Sequence, residues 1–319
     1  MRAVIRTALP EGTVVSEHNE DGHWYRVIRD KAVANVVGVS NDTNPLYPSV
    51  TGKLQCLKDD GLANYKMNRA LDYIFAHFSE FTPENVMEHI DIASRQSADI
   101  LTDAGDIGTL VHDTREKIFS QWIESGVRPV NFPGFLTEDR QDVRAISCLA
   151  ALEQFCIDKG YVPVMAEMMV YSHEMKTAGT LDDLGLMRVE MRDGDKACTH
   201  GDGAYILKRE DQNVDRCARC GAKWKWAFVL VDLKTSNRFK DHYFFQVALY
   251  YDMIRKITGL TPEKCFILKL SKEDRTYKME DLKAPKRLAQ YSKYIIKTNE
   301  GLDFISGLRK DNQRTVVRI

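Results

Sequence analysis

The spacing of apolar and polar residues changes character at about Gly108. Before it, two β-rich segments flank a turn at Asn19–Gly22, a pattern typical of a hairpin. Helical patterns follow from about residue 50 to residue 77 and from Pro83 towards residue 102, and proline is favoured at the start of a helix. Residues 1–107 are therefore predicted to form an N-terminal region of strands and helices.

From Gly108 onwards, helical and strand patterns follow one another closely. An amphipathic helix over GTLVHDTREKIFSQWIES and a second helix at about 138–159 precede three β-forming segments. These segments are VPVMAEMMVYS, GTLDDLGLMRVE and WKWAFVLVDLKTS, with a polar insert at 191–223 before the third. A helix at about 239–258 and the strand KCFILKLS complete the unit. This order predicts an α/β core over residues 108–319, with a central mixed β-sheet flanked by helices.

Composition places the chain among ordinary globular proteins. Its 319 residues are 44% hydrophobic, and no apolar run approaches the ~20 residues that span a bilayer. The first residues also lack the apolar stretch of a signal peptide, so we expect a cytoplasmic protein with no membrane partner. The net charge of −1 excludes a global basic field, although residues 283–319 hold nine Lys/Arg against three acids. Such a run could follow a phosphate backbone, but it is more often a solvated helix face.

An acid and a lysine share one face of the most hydrophobic predicted strand. In VDLKT, Asp232 and Lys234 lie two residues apart, so they project together while Val231, Leu233 and Thr235 face the other way. The pair could be a surface ion pair. The preceding run FVLV indicates a buried strand, however, and buried charges need partners or a metal ion. The pattern therefore favours a functional pair.

Further acids stand in the two preceding strands. In GTLDDLG, alternation places Asp182 on the face of Thr180, and Asp183 on the opposite face with Leu181. Two successive acids often form a turn, but the flanking leucines favour a strand. Glu167 is the sole charge in VMAEMMV. A buried carboxylate there needs a metal, a lysine or a hydrogen-bond network, and the choice between ligand and network member stays open.

Five motifs stand in an order that resembles a known nuclease superfamily. They are GTLVH ending in His112, Glu167, GTLDD with Asp182, VDLKTS with Asp232 and Lys234, and Gln246 with Tyr250 four residues later on a predicted helix. A lone helical histidine is usually structural, and the Gln–Tyr pair alone is equally weak. Together they resemble the RecB-like branch of the PD-(D/E)XK nucleases, whose pattern runs G-x-x-x-H, E, G-x-x-D, D-x-K and Q-x-x-x-Y.

The resemblance extends towards the N-terminus and covers about residues 46–270. Residues 46–71 look like the N-terminal region of phage exonucleases and of mitochondrial genome maintenance exonucleases. The similarity lies in Pro48-Ser49-Val50-Thr51 before a helix, followed by an aromatic position that Tyr65 fills. On these grounds Ser49 and Thr51 are assigned to substrate binding, and the N-terminal region is expected to contribute to DNA binding.

The resemblance also implies a restriction-endonuclease-like core and a role for each matched residue. The ligands of Mg²⁺ or Mn²⁺ would be His112, Asp182, Asp232 and the main-chain carbonyl of Leu233. Lys234 would orient the attacking water and stabilise charge on the phosphate, and Glu167 would be an additional catalytic acid. Gln246 and Tyr250 would position the substrate strand. A largely oxygen-based ligand set suits these two cations.

A second metal site is predicted in the polar insert. Cys198 and His200, followed by Cys217 and Cys220, provide two knuckle-like pairs that suit tetrahedral Zn²⁺. Two chance thiols in a loop are the alternative, but an insert without a core of its own needs a cross-link, such as a bound metal ion, to hold its structure. We expect this zinc to be structural. An iron–sulfur cluster is disfavoured because, of the seven cysteines, only Cys265 follows the predicted helix at 239–258.

The sequence thus predicts a metal-dependent DNA exonuclease acting on single strands or DNA ends, in phage or bacterial recombination or DNA processing. If the gene belongs to a phage, the compartment is the host cytoplasm, and a recombination or single-strand annealing protein is a possible partner. A structure-specific or restriction-type endonuclease is the second interpretation. A non-catalytic DNA-binding assembly subunit is a third, disfavoured because every catalytic position is filled.

Overall fold

The computed structural model describes residues 14–19, 22–27, 46–57, 61–190, 206–208, 214–217 and 223–316. The helices are α1 (Val50–Lys53), α2 (Gly61–His77), α3 (Val86–Ser125), α4 (Val143–Lys159), α5 (Asp241–Thr258) and α6 (Pro285–Val316). The strands are β1 (Val14–Asn19), β2 (Gly22–Val27), β3 (Leu46–Pro48), β4 (Val162–Ser172), β5 (Thr177–Glu190), β6 (Ile206–Lys208), β7 (Val214–Cys217), β8 (Lys223–Lys234), β9 (Lys264–Leu270) and β10 (Tyr277–Asp281). No helix among the described residues is both long and apolar enough to cross a membrane.

A mixed sheet with the strand order β10-β9-β8-β5-β4 forms the centre of the fold. Strands β8 and β9 run parallel, whereas the other neighbours in this order are antiparallel. One apolar cluster lies between the sheet and α3 and α4, and a second lies between the sheet and α5 and α6. The predicted α/β architecture, with a mixed sheet flanked by helices, is therefore confirmed.

The N-terminal residues form a small separate sheet of order β1-β2-β3. The predicted hairpin is confirmed, since β1 pairs with β2 from Val14↔Val27 to Asn19↔Gly22. A cluster of Tyr25, Val27 and Tyr47 packs this small sheet onto Ala178 of β5. The N-terminal region thus lies directly against the central sheet.

Several predicted helix boundaries were wrong. The two segments expected on either side of Gly108 form the single 40-residue helix α3, although it contains two internal glycines, Gly105 and Gly108, each of which costs a helix about 1 kcal/mol. The helix expected over residues 50–77 is divided into α1 and α2. Helix α4 begins at Val143, where the carboxylate of Asp142 accepts a hydrogen bond from the amide of Arg144, rather than at residue 138.

Regular alternation holds in β8 but breaks in β5. Val231 and Leu233 both pack on the α3–α4 side of the sheet, as predicted. In β5, Leu181 and Leu184 belong to the same cluster on the opposite side although they are three residues apart. The break lies at Asp182, between the register pairs Ala166↔Asp183 and Met168↔Leu181. The residue opposite it in β4 is Glu167, whose backbone is left-handed with a φ of 50°. The prediction that Leu181 and Asp183 share a face is therefore wrong.

Candidate active site

The acid and the lysine at the end of β8 form an ion pair between a buried carboxylate and a partly buried ammonium group. Asp232 Oδ2 lies 2.6 Å from Lys234 Nζ, and Asp232 is 1% exposed. The Lys234 ammonium also lies 5.1 Å from the ring centroid of Tyr243 on α5. Burial, opposed by Lys234, raises the pKa of Asp232. The pKa of Lys234 is raised because the attraction of Asp232 and Asp182 outweighs the effect of its burial.

Asp182 connects β5 to β8 where the ladder between the two strands ends. Their pairing reaches Asp183↔Val231, and the amide of Leu233 donates to Asp182 Oδ2 instead, at 2.5 Å. The other carboxylate oxygen, Oδ1, lies 3.5 Å from His112 Nδ1. Although burial acts to raise it, the pKa of Asp182 is lowered by His112, Lys234 and Arg115 and by the Leu233 amide. Asp182 is therefore the most strongly ionised acid of the site.

His112 reaches the site from α3. Its pKa is lowered to about 4 by burial, with Asp182 opposing the shift, so the imidazole is neutral at neutral pH. Neutral imidazole is the form that binds metal ions. Potential ligand atoms of His112, Glu167 and Asp182 all lie within 4.8 Å of one another. Three residues that are far apart in the sequence are thus brought together around one point.

Arg115 is the residue of this site that the sequence analysis missed. Its guanidinium is fully buried and pairs with Glu167 and, at 2.7 Å, with Asp183 Oδ2. Burial disfavours its charge, but the carboxylates of Asp183, Asp182 and Glu167 raise the pKa of Arg115. Arg115 continues the apolar stripe of α3 that includes Val111 four residues before it. A charge at a core position of an amphipathic helix is a sequence signal that could have revealed it.

The site contains more negative than positive charge. Four carboxylates, those of Glu167, Asp182, Asp183 and Asp232, face two permanent cations, those of Arg115 and Lys234. Burial raises the pKa of Glu167 to about 8 and that of Asp183 to about 7, with Arg115 opposing both shifts and Asp182 reinforcing them. The raised pKa values mean that burial favours the protonated form of these two acids. A divalent cation can take the place of the protons, so the residues fit a metal site.

The position of Glu167 is compatible with both roles that the sequence left open. It pairs with Arg115 and also belongs to the three-residue group of potential ligands. Its left-handed backbone is unusual for a residue other than glycine, asparagine or aspartate. Such backbone outliers cluster at functional sites, where the surrounding structure holds them.

The predicted substrate residues of α5 lie beside this group. Gln246 Nε2 donates to the Tyr250 hydroxyl at 3.3 Å, and both side chains are buried. Burial raises the pKa of the Tyr250 phenol well above its ordinary value, so its hydroxyl stays a donor. A Cβ atom at Gly179 would lie 2.7 Å from the Tyr250 hydroxyl oxygen. The glycine of the GTLDD motif is thus needed for the close approach of this ring.

The N-terminal sheet reaches the same region. The Tyr25 hydroxyl and Thr180 Oγ1 lie 3.1 Å apart. Ser49 forms a bridge with Ala178, and its hydroxyl accepts from the Gly52 amide at the start of α1. Ala178 precedes Asp182 by four residues, or about 13 Å along an extended strand. Ser49 and the exposed Thr51 therefore lie near the start of β5, away from Asp182. Their role in substrate binding stays a prediction.

The predicted zinc site lies outside the described residues. Cys198, His200 and Cys220 are not described, and Cys217 is described only as the last residue of β7. The described parts of the insert form the antiparallel pair β6–β7, which extends from β8. The four cysteines with described side chains, Cys56, Cys148, Cys156 and Cys265, are free thiols.

Comparison with protein-family models and with curated proteins gave no match for this chain. The functional assignment therefore rests on the chemistry and geometry of the residues around His112, Asp182 and Lys234.

Proposed function

We propose that the protein is a metal-dependent nuclease of the PD-(D/E)XK superfamily, of the RecB-like branch, with DNA single strands or DNA ends as substrate. The observation that carries the proposal is the convergence of the potential ligand atoms of His112, Glu167 and Asp182 within 4.8 Å of one another, close to the Asp232–Lys234 ion pair. Phosphodiester hydrolysis needs these parts: carboxylates for a divalent cation, and a positive group near the phosphate.

The ligand set supports Mg²⁺ or Mn²⁺ as the cofactor. Asp182, His112 and Glu167 would hold the ion, with Asp232 and the carbonyl of Leu233 completing the set that the family resemblance implies. One nitrogen among several oxygens suits Mn²⁺ well and is compatible with Mg²⁺. When bound, such an ion polarises the phosphate and makes a coordinated water more acidic.

Lys234 supplies the fixed positive charge of the proposed reaction. Its pKa is raised by Asp232 and Asp182 against the effect of burial, so it stays an ammonium ion at neutral pH. Held between Asp232 and the ring of Tyr243, it can orient a water molecule and stabilise negative charge on the phosphate. Stabilisation of this kind, placed in advance of the reaction, is usually the largest catalytic contribution.

Other residues position the substrate or the ligands. Gln246 and Tyr250 offer donors on one face of α5, suited to phosphate oxygens of the bound strand. Arg115 holds Glu167 and Asp183 and so fixes the acids without contacting the substrate. The zinc insert, the cytoplasmic setting, a phage or bacterial recombination role and an annealing-protein partner belong to the same proposal.

The experiment is digestion of end-labelled linear, closed-circular and single-stranded DNA with Mg²⁺ or Mn²⁺. We expect linear and single-stranded DNA to be degraded, and Lys234→Ala to lower the rate on the order of 10²- to 10³-fold. Lys256→Ala is the matched control, because Lys256 pairs with Glu174 and Asp252. It should keep the wild-type rate.

Three outcomes would change the proposal. Cleavage of closed circles would favour the endonuclease interpretation. DNA binding without hydrolysis in either metal would favour a non-catalytic assembly subunit. Equal rates for Lys234→Ala and wild type would overturn the proposed mechanism.

A further inference from the structure

Three lysines lie side by side across three neighbouring strands. Lys234 of β8 is the register partner of Lys269 of β9, and Lys269 is the register partner of Lys278 of β10. Directly opposed residues project from the same face of a sheet, and adjacent strands lie about 4.8 Å apart. Lys234, Lys269 and Lys278, here called the lysine row, therefore extend about 10 Å outwards from the candidate active site.

The row adjoins a polar cavity at the ends of β8 and β9. The cavity has a volume of about 300 Å³, and its lining includes Ser236, Asn237, Lys269, Ser271 and Lys278. Strands β8 and β9 are parallel, so both end at this side of the sheet. The space beyond the carboxyl ends of parallel strands is where open α/β sheets commonly bind ligands.

The outer two lysines have no acidic partner among the described residues. Lys269 Nζ donates to the carbonyl of Asn237 at 2.6 Å and lies 5.7 Å from the ring centroid of Phe239. Within the described part of the chain, no carboxylate lies within ion-pair distance of Lys269 or Lys278. Lys234, in contrast, pairs with Asp232.

Such an arrangement has a cost unless an anion is bound. Like charges directly opposite one another on adjacent strands destabilise a sheet. The cavity also contains Glu273 and Asp274, but Asp274 accepts hydrogen bonds from the amide and hydroxyl of Thr276. A chain of phosphates would neutralise the lysines, and its repeating charge matches a row better than a single small anion does.

We propose that Lys269 and Lys278 bind backbone phosphates of the substrate strand, which crosses β9 and β10 on its way to or from Lys234. The inference rests on the proposed nuclease function and adds the path of the nucleic acid. The phosphate at Lys234 is the one that is cleaved, and the phosphates at Lys269 and Lys278 flank it on one side. These two lysines contribute to affinity and not to the chemical step.

The first test is salt-dependent binding of a single-stranded oligonucleotide, with Ca²⁺ replacing Mg²⁺. We expect Lys269→Gln/Lys278→Gln to bind about 3- to 30-fold more weakly at low salt. The slope of log affinity against log salt should become shallower by about 1.4, since each single-strand phosphate contact contributes about 0.7. The matched control is Lys264→Gln/Lys283→Gln, which removes two charges that pair with Asp281, one at the start of β9 and one just after β10, and should keep the wild-type slope.

The second test separates this inference from the proposed function. Bis(p-nitrophenyl) phosphate contains one phosphate and cannot reach the outer lysines. We expect Lys269→Gln/Lys278→Gln to hydrolyse it at the wild-type rate, while its KM for the oligonucleotide rises and its kcat is unchanged. An unchanged salt slope in a variant that still hydrolyses the small substrate would overturn the proposal that the lysine row binds the substrate strand. Failure of the wild-type protein to bind or hydrolyse either substrate would instead overturn the nuclease proposal.

Discussion

Two clusters of charged residues in this protein use the same residue types and have opposite electrostatic character. In the surface cluster, Glu174 and Asp252 face three cations, Arg255, Lys256 and Lys293. In the candidate active site, four carboxylates face Arg115 and Lys234. In the first cluster the cations outnumber the acids by one, whereas in the second the carboxylates exceed the cations by two.

The pKa values of the acids reflect this difference. Hydrogen bonds from Lys256 and Lys293 lower the pKa of Glu174. Burial raises the pKa of Glu167, and Arg115 does not compensate for it. A cluster that only holds the fold together gains nothing from uncompensated acids, because each buried one costs free energy. We interpret the excess in the second cluster as the ligand set of a divalent cation.

Removal of one cation should give the largest difference in stability between the two clusters. Arg115→Ala leaves the buried Asp183 and the partly buried Glu167 without their partner, and the expected loss in the free energy of unfolding is about 3–5 kcal/mol. Lys256→Ala in the surface cluster should cost about 1 kcal/mol or less. Urea unfolding of the two variants at neutral pH, with a chelator present, measures both values.

A rescue variant tests the reason for that loss. If uncompensated charge is the cause, adding Glu167→Gln to Arg115→Ala should recover part of the lost free energy. Equal losses in Arg115→Ala and Lys256→Ala would contradict the distinction between the clusters.

Metal binding should have the next largest effect. Mn²⁺ at about 100 times its Kd stabilises a protein that binds it only when folded by about 2.7 kcal/mol. We expect this gain in the wild type and in Glu174→Gln, but not in Asp182→Asn. Thermal unfolding with and without Mn²⁺ provides the measurement, and stabilisation of Asp182→Asn to the wild-type extent would show that the ion binds elsewhere.

The sequence predicted the parts of this site that depend on local pattern. Alternation in β8 placed Val231 and Leu233 in the core, and the motif order identified His112 and Asp182 as neighbours. It did not reveal the contacts of Arg115, whose partners Asp183 and Glu167 lie 68 and 52 residues away in the sequence. Which residues meet at such separations depends on how whole helices and strands pack together.

The local sequence pattern also could not predict two features of the fold. The break in β5 depends on the backbone of Glu167 in the neighbouring strand, and alternation within one strand cannot report it. The continuity of α3 through Gly108 is set by tertiary packing. A Cβ atom at Gly108 would lie 3.2 Å from Thr235 Oγ1, so the glycine there permits close contact with the chain after β8 and does not end the helix.

A further difference is expected in the pH dependence of stability. The folded-state pKa of Glu167 is raised from 4.5 to about 8, mainly by burial. Between these two values the folded state keeps a proton that the unfolded chain releases, so stability falls as pH rises, by up to about 1.4 kcal/mol per pH unit. Glu174 has a lowered pKa, so its contribution is present above pH 4.5 and is lost at lower pH.

Urea unfolding of the metal-free protein from about pH 5 to about pH 8 measures this slope. We expect Glu167→Gln to have a flatter profile than the wild type, and Glu174→Gln to keep the wild-type profile over the same range. Identical profiles for all three proteins would contradict the assignment of raised pKa values to the candidate active site.

The most direct test is the position of Mn²⁺ in crystals soaked with the ion, located by anomalous diffraction. The account predicts one strong peak among the side chains of His112, Glu167 and Asp182, with Asp232 on the side of Lys234. A peak only at the surface cluster of Glu174 and Asp252, or no peak in crystals that contain millimolar Mn²⁺, would contradict it.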